Sequence, residues 1–143
     1  MFFSKAWKYS IRALIYLAEH KDDGPILRSV IAEEESIPSA FLAKILGTLA
    51  TANIVESTRG PKGGFVLSAD PEKISLLEIA QLIEHFDVPG KCILGYRSCE
   101  RGETCPVHEY WAEPKQQIIN FLKDTNLSMI CQIVPKQNRI EPN

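Results

Sequence analysis

The 143-residue chain has room for one compact domain, or for a small domain with an appended arm. Its hydrophobic content of 45% supplies a packed core, and its formal charge of -2 excludes a wholly polycationic nucleic-acid binder. Its longest apolar run near the start, ALIYLA, is far too short for the roughly 20 residues of a membrane span.

Arg12 and Glu19 bracket that run, so it is also a poor signal-peptide core, and a cytoplasmic chain with no membrane partner is expected. Residues 1–70 carry 8 cations and 8 acids. The acids segregate: Asp22, Asp23, Glu33, Glu34 and Glu35 fall in two patches, which leaves room for a basic face elsewhere.

Ser4 is placed to cap a first helix running to about His20. Trp7, Ile11, Leu14 and Ala18 would form its buried face, with Lys5, Lys8 and Arg12 on another. Asp23-Gly24-Pro25 turns the chain. A short helix from Leu27 to about Glu34 follows. Ile37-Pro38 breaks the pattern before a longer helix from Ser39 to about Ala52. Leu42, Ile45, Leu46 and Leu49 make its apolar stripe. Ala40, Ala43, Lys44, Gly47, Thr48 and Thr51 lie opposite, small or polar, so its backbone can approach another surface. Short helix, turn and open-faced helix match a helix-turn-helix, and equally two ordinary amphipathic helices of a bundle.

Residues 54–67, IVESTRGPKGGFVL, add a hairpin signal. Two β-prone runs, Ile54 to Ser57 and Phe65 to Leu67, flank Arg59-Gly60-Pro61-Lys62-Gly63-Gly64. Directly after a helix-turn-helix, such a hairpin reads as a wing. Its glycines allow close approach to phosphate or the minor groove, and Arg59 suits the negative potential there. The competing reading is a structural hairpin with two solvated cations.

Ser75-Leu76-Leu77-Glu78 is a capping box opening a helix to about His85. Val88-Pro89-Gly90 ends it. A stretch of roughly 17 residues without periodicity then holds three of the four cysteines. Pro106 fits the first position of a helix. Val107, Trp111, Pro114, Ile118, Phe121 and Thr125 then alternate spacings of four and three, with Leu122 beside them. This seam points to the same helix of a second copy, with Trp111, Ile118, Phe121 and Leu122 at the dimer interface, or to packing on its own domain. Pro114 should kink it. Cys131 reads as a buried thiol, and His20 and His85 as surface or capping residues at helix ends.

The order of these parts resembles the Rrf-two family of bacterial winged-helix transcription regulators, and within it the members that sense through iron–sulfur clusters or nitric oxide. The resemblance covers about residues 4–131. It rests on SKAWKYSIRALIYLA, IAEEESIPSAFLAKIL, VESTRGPKGGFVL and the loop running into CPVHEYW. The strings R-G-x-x-G-G-[FY] and C-x6-C-x5-C-x2-H together are far more specific than either alone.

The resemblance implies a homodimer on a palindrome-like double-stranded DNA operator. Arg59 would contact DNA, with Ser39, Ala40, Ala43 and Lys44 facing the groove. Arg28, Gly60, Lys62 and Gly63 complete the expected DNA-binding set. It also implies a [2Fe-2S] cluster on Cys92, Cys99, Cys105 and His108. Three departures stand out. Ala43 replaces a longer polar side chain of some relatives. Six residues follow Cys92 where five are common. Lys8 occupies the neighbourhood where nitric-oxide-sensing members supply an acidic ligand from the partner subunit.

The donor types suit this role: three soft thiolates and one imidazole, the histidine raising a cluster's potential. Gly90, Gly95 and Gly102 let the loop curl, and Lys91, Arg97 and Arg101 offset its charge. Three Cys and one His also make a tetrahedral zinc set, although no short C-x2–4-C knuckle is present. Metal-free thiol switching is the third option. No phosphate loop, nucleophile elbow or metalloprotease motif points to an enzyme.

The expected fold is mainly α with a small β-hairpin wing. A winged helix-turn-helix domain (1–86) precedes a cysteine-rich sensor loop (87–105), a dimerisation helix with its following segment (106–134) and a flexible tail (135–143). The function expected is a dimeric transcription regulator sensing redox, iron or nitric oxide state. The alternatives are a metal-free cysteine switch of the same fold, or a cluster or zinc carrier that does not bind DNA.

Overall fold

The computed structural model describes residues 3–85, 94 and 105–133. Helix α1 (Lys5–Glu19) is followed by α2 (Arg28–Glu34), α3 (Ser39–Thr51), strands β1 (Val55–Thr58) and β2 (Gly64–Leu67), and α4 (Leu76–Glu84). Then come α5 (His108–Asp124) and α6 (Leu127–Ile133). The Ser4 hydroxyl caps α1 by accepting from the Trp7 N–H at 3.3 Å. α1 packs against α3, α4, α6 and β2, so it buries more of its circumference than a surface helix. Its core face is therefore Ser10, Ala13, Leu14, Ile15 and Leu17, while the expected Trp7, Ile11 and Ala18 are half-buried. The buried Ser10 hydroxyl donates to the Trp7 carbonyl at 2.7 Å.

The turn between α2 and α3 is a Schellman cap built without glycine. Ser36 takes φ +50°. Its N–H donates to the Glu33 carbonyl (3.2 Å), and the Ile37 N–H to the Ala32 carbonyl (2.9 Å). Ile37 then enters the core. The end of α3 repeats the device, with Asn53 at φ +58° and the Ile54 N–H donating to the Leu49 carbonyl at 3.0 Å.

α1 grips this turn electrostatically. Arg12 Nε lies 3.5 Å from Glu35 Oε2, and the same guanidinium donates to the Glu35 carbonyl. Arg12, expected on a face with Lys5 and Lys8, and Glu35, expected in an acidic patch, are drawn together in a part-buried pair between α1 and the α2 terminus. Nearby, burial raises the Tyr16 hydroxyl pKa above the ordinary tyrosine value, and the charges of Glu34, Glu35 and Asp23 add to this.

β1 and β2 pair antiparallel, with Val55 opposite Leu67 and Thr58 opposite Gly64. Ile26 adds a third edge: its N–H donates to the Phe65 carbonyl (3.0 Å) and its carbonyl accepts from the Phe65 N–H (2.8 Å). This close approach requires Gly64. Its φ is +148°, and a Cβ there would lie 2.5 Å from the Ile26 carbonyl.

The Ser75 hydroxyl accepts from the Glu78 N–H at 3.1 Å, as the capping box predicts. α5 starts at His108, two residues after the expected Pro106, because Pro106 and Val107 form a turn that precedes the first helical residue. Pro114 lies inside α5 without dividing it. Leu122 was expected in the partner seam, but it is 0% exposed within its own chain's core, beside Leu127 of α6. The α5–α6 junction is stitched to the start of α4: the Leu76 N–H donates to the Thr125 carbonyl and the Leu127 N–H to the Ile74 carbonyl, both at 2.9 Å. Cys131 is half-buried against this core rather than fully enclosed. No described helix is long and apolar enough to cross a membrane.

Arg12→Met removes the cation beside a buried carboxylate and should cost about 2–3 kcal/mol in urea unfolding. A loss below 0.5 kcal/mol, on the order of an ordinary surface change, would contradict the clamp. Gly64→Ala should cost about 2–4 kcal/mol through strain and collision with Ile26. Gly60→Ala, where a Cβ meets nothing within 4 Å and φ is +106°, should cost about 1–2 kcal/mol. Equal losses at the two glycines would remove the close approach from the explanation.

Candidate nucleic-acid interface and sensor turn

The exposed face of α3 carries Ser39, Ala40, Phe41, Lys44, Gly47, Thr48 and Thr51. Ala43, expected on the same face, is half-buried at its flank because it lies nearer the core stripe of Leu42 and Leu46. The Thr48 hydroxyl donates back to the Lys44 carbonyl (3.2 Å) and the Thr51 hydroxyl to the Gly47 carbonyl (3.0 Å). Phe41 is 40% exposed, and its ring meets Tyr9 edge-on at 5.5 Å. Tyr9 in turn lies under the Arg12 guanidinium, 5.8 Å from the ring centre. Beside α3 runs an open groove of about 500 Å³ with Phe41, Lys44 and Thr48 on one wall and Ala6, Ile83 and His85 on the other.

Arg59, Gly60, Pro61 and Lys62 are exposed at the wing tip. Gly63 is buried. Its N–H donates to the Gly60 carbonyl at 2.9 Å, and a Cβ would lie 2.2 Å from the Thr58 carbonyl oxygen. Gly63 therefore shapes the wing loop rather than presenting surface. Arg28 is exposed at the start of α2. Among the described residues, Arg28, Lys44, Arg59 and Lys62 make no ion pair, so their charges are available to an external anion.

At the start of α5, Cys105 and His108 are half-buried and joined by one turn, in which the His108 N–H donates to the Cys105 carbonyl at 3.1 Å. Cys105 and His108 thus stand at the two ends of one i, i+3 turn. Cys92 and Cys99 lie outside the described residues, as do Lys91, Arg97, Arg101 and the loop glycines. Among the described residues no three His, Cys, Asp or Glu side chains group as a metal site. A thiol and an imidazole one turn apart do match, in donor chemistry, half of a three-cysteine, one-histidine set. His20 caps α1 with its Nδ1 2.8 Å from the Tyr16 carbonyl, and the exposed His85 caps α4 at φ +50°.

Along α5, Trp111 and Ile118 are half-buried and Phe121 is 60% exposed. Sequence reasoning missed Phe41, Tyr9 and the Arg12–Glu35 pair. An apolar residue out of register with the buried stripe was the available signal for Phe41.

The family model described as "Iron-dependent Transcriptional regulator", Rrf2, matches residues 3–133. A protein of Aquifex aeolicus assigned as an HTH-type transcriptional regulator is 35% identical over 95% of both chains. The transcriptional regulator IscR of Yersinia enterocolitica is 27% identical over 94% of this chain and 79% of its own. CymR, the global cysteine regulator of B. subtilis, superposes with a TM-score of 0.80 at 23% identity, covering 94% of this chain and 99% of the other. A helix-turn-helix head with a hairpin wing, carried on a chain matched from Phe3 to Ile133, thus belongs to the Rrf2 family and is a transcriptional regulator rather than an enzyme.

Proposed function

We propose that the protein is a homodimeric regulator that grips an operator with α3 and the wing, and senses redox, iron or nitric oxide state through the 92–108 loop. The observation that carries the DNA half is the set of unpaired, exposed cations Arg28, Lys44, Arg59 and Lys62 on the helix-turn-helix and wing. Lys44 sits on the open face of α3, and Arg59 and Lys62 at the wing tip. In this reading Ser39, Ala40 and Ala43 approach the major groove with Lys44, while Gly60 lets the wing backbone come close to the duplex and Gly63 sets the shape of the loop that carries it. The dimer forms along α5 through Trp111, Ile118 and Phe121. Leu122 is excluded from that seam by its burial and anchors α5 to its own head.

For the sensor, Cys92, Cys99, Cys105 and His108 would hold a [2Fe-2S] cluster, which when bound supplies an oxidisable, ligand-sensitive centre. The donor chemistry, the iron-dependent family description and the IscR relatives support this. The chain's own residues provide the route onward. Cys105 and His108 set the start of α5, Leu122 and Ile118 hold α5 on the core, and the Thr125–Leu76 bond ties its end to α4. A change of 1–3 kcal/mol in which arrangement the loop favours, about the size of ordinary allosteric coupling, would be felt at the head. The likeness to CymR favours a second reading, in which the same cysteines switch by thiol oxidation without metal.

Arg59→Ala should weaken operator binding about tenfold, as loss of one charge-assisted contact does, and Lys62→Ala should lower the slope of log K against log[salt] by about 1. Unchanged affinity and slope in both variants would remove the wing from the interface. Anaerobically purified protein should be brown, with iron and sulfide in equal amounts that are both lost in Cys92→Ala. A colourless, fully operator-responsive protein would favour the thiol switch.

A further inference from the structure

The recognition surface is short of hydrogen-bonding groups. From Ser39 to Thr51 the helix SAFLAKILGTLAT contains no Asn, Gln, Arg, Asp or Glu, the side chains that bind base edges in pairs of hydrogen bonds. Its hydroxyls at Thr48 and Thr51 already donate to the helix's own carbonyls. Ser39 and Lys44 remain as side-chain donors, and a flexible ammonium favours phosphate as a point charge. The largest exposed side chain on this helix is instead an aromatic ring, Phe41, in the first turn. The first turn is the part of a recognition helix that meets base edges.

Phe41 is also held in place. Its edge contact with Tyr9, the position of Arg12 over Tyr9, and the bond from Arg12 to Glu35 form one continuous support from the α2 terminus across α1 to the surface of α3. An exposed ring with no support would lose entropy on docking; the edge contact with Tyr9 reduces that cost. In the major groove, the base feature that an apolar ring recognises is the C5-methyl of thymine.

We infer that Phe41 is a specificity-determining residue that reads a thymine methyl in each operator half-site, so that α3 discriminates by apolar contact more than by hydrogen bonding. This rests on the reading that α3 faces the operator. It assigns the discrimination to a residue outside the cationic and small-residue set.

The test uses full-length protein and an operator enriched from a random duplex library. Each thymine of one half-site is replaced in turn by deoxyuridine, which removes the methyl and keeps every hydrogen-bonding group. Affinity is measured at one fixed salt concentration. One position should lose about fourfold, the effect of one buried methyl group. Phe41→Ala should bind the thymine and uridine duplexes equally at that position, and Phe41→Leu should retain part of the difference. No uridine effect at any position in the wild-type protein, whose folding is not in question, would overturn the inference. So would an undiminished effect in Phe41→Ala, because another residue would then be reading the methyl. Failure to enrich any sequence would instead sink the operator-binding reading, with this inference falling alongside it.

Discussion

The Arg12–Glu35 contact fixes where α3 stands. Glu35 ends α2, and the next residue, Ser36, turns the chain in a left-handed conformation toward α3. Arg12 reaches this corner from the middle of α1 and binds both its carboxylate and its carbonyl. The same guanidinium lies over Tyr9, which meets Phe41 on α3. One cation therefore ties the turn before α3 and the first turn of α3 to the central helix. A part-buried pair of this kind offers little net stability over an apolar replacement of good fit, but it specifies a direction that hydrophobic packing leaves loose.

The C-terminal helices serve two surfaces at once. Leu122 and Leu127 belong to the same core as α1 and α4, and two backbone bonds stitch the α5–α6 junction to the start of α4. Yet Tyr110, Phe121 and Ile133 leave large apolar side chains exposed on those helices. These side chains are available to a partner. A helix anchored on one face and open on the other can carry a displacement at Cys105 and His108 into both the head and a partner. A free arm would transmit it to the partner alone.

Local signals were legible in the sequence. The Ser4 and Ser75 caps, the bounds of α3 and the two-strand hairpin follow from side chains acting within a few residues of themselves. What could not be read depends on contacts between distant segments. The Arg12 side chain looks like one more surface cation until α2 is folded against α1. Gly64 looks like a turn glycine until Ile26 arrives beside it. Leu122 fits a partner seam by spacing, and only the return of α6 onto the core shows that it faces inward. The left-handed caps at Ser36 and Asn53 lack the glycine that marks most such positions, so neither announced itself. In the 92–108 stretch, the pattern of three cysteines and one histidine was plain from spacing, and the structure adds the turn that joins Cys105 to His108.

The most direct test of the account is a hydroxyl-radical footprint of the full-length protein on its enriched operator. Two recognition helices carried by one dimer predict two symmetric protected patches on one face of the duplex, about 34 Å or a multiple of it apart, each flanked by minor-groove protection from a wing. A single asymmetric patch, or protection that ignores sequence, would contradict a dimer reading a palindrome through α3 and Arg59.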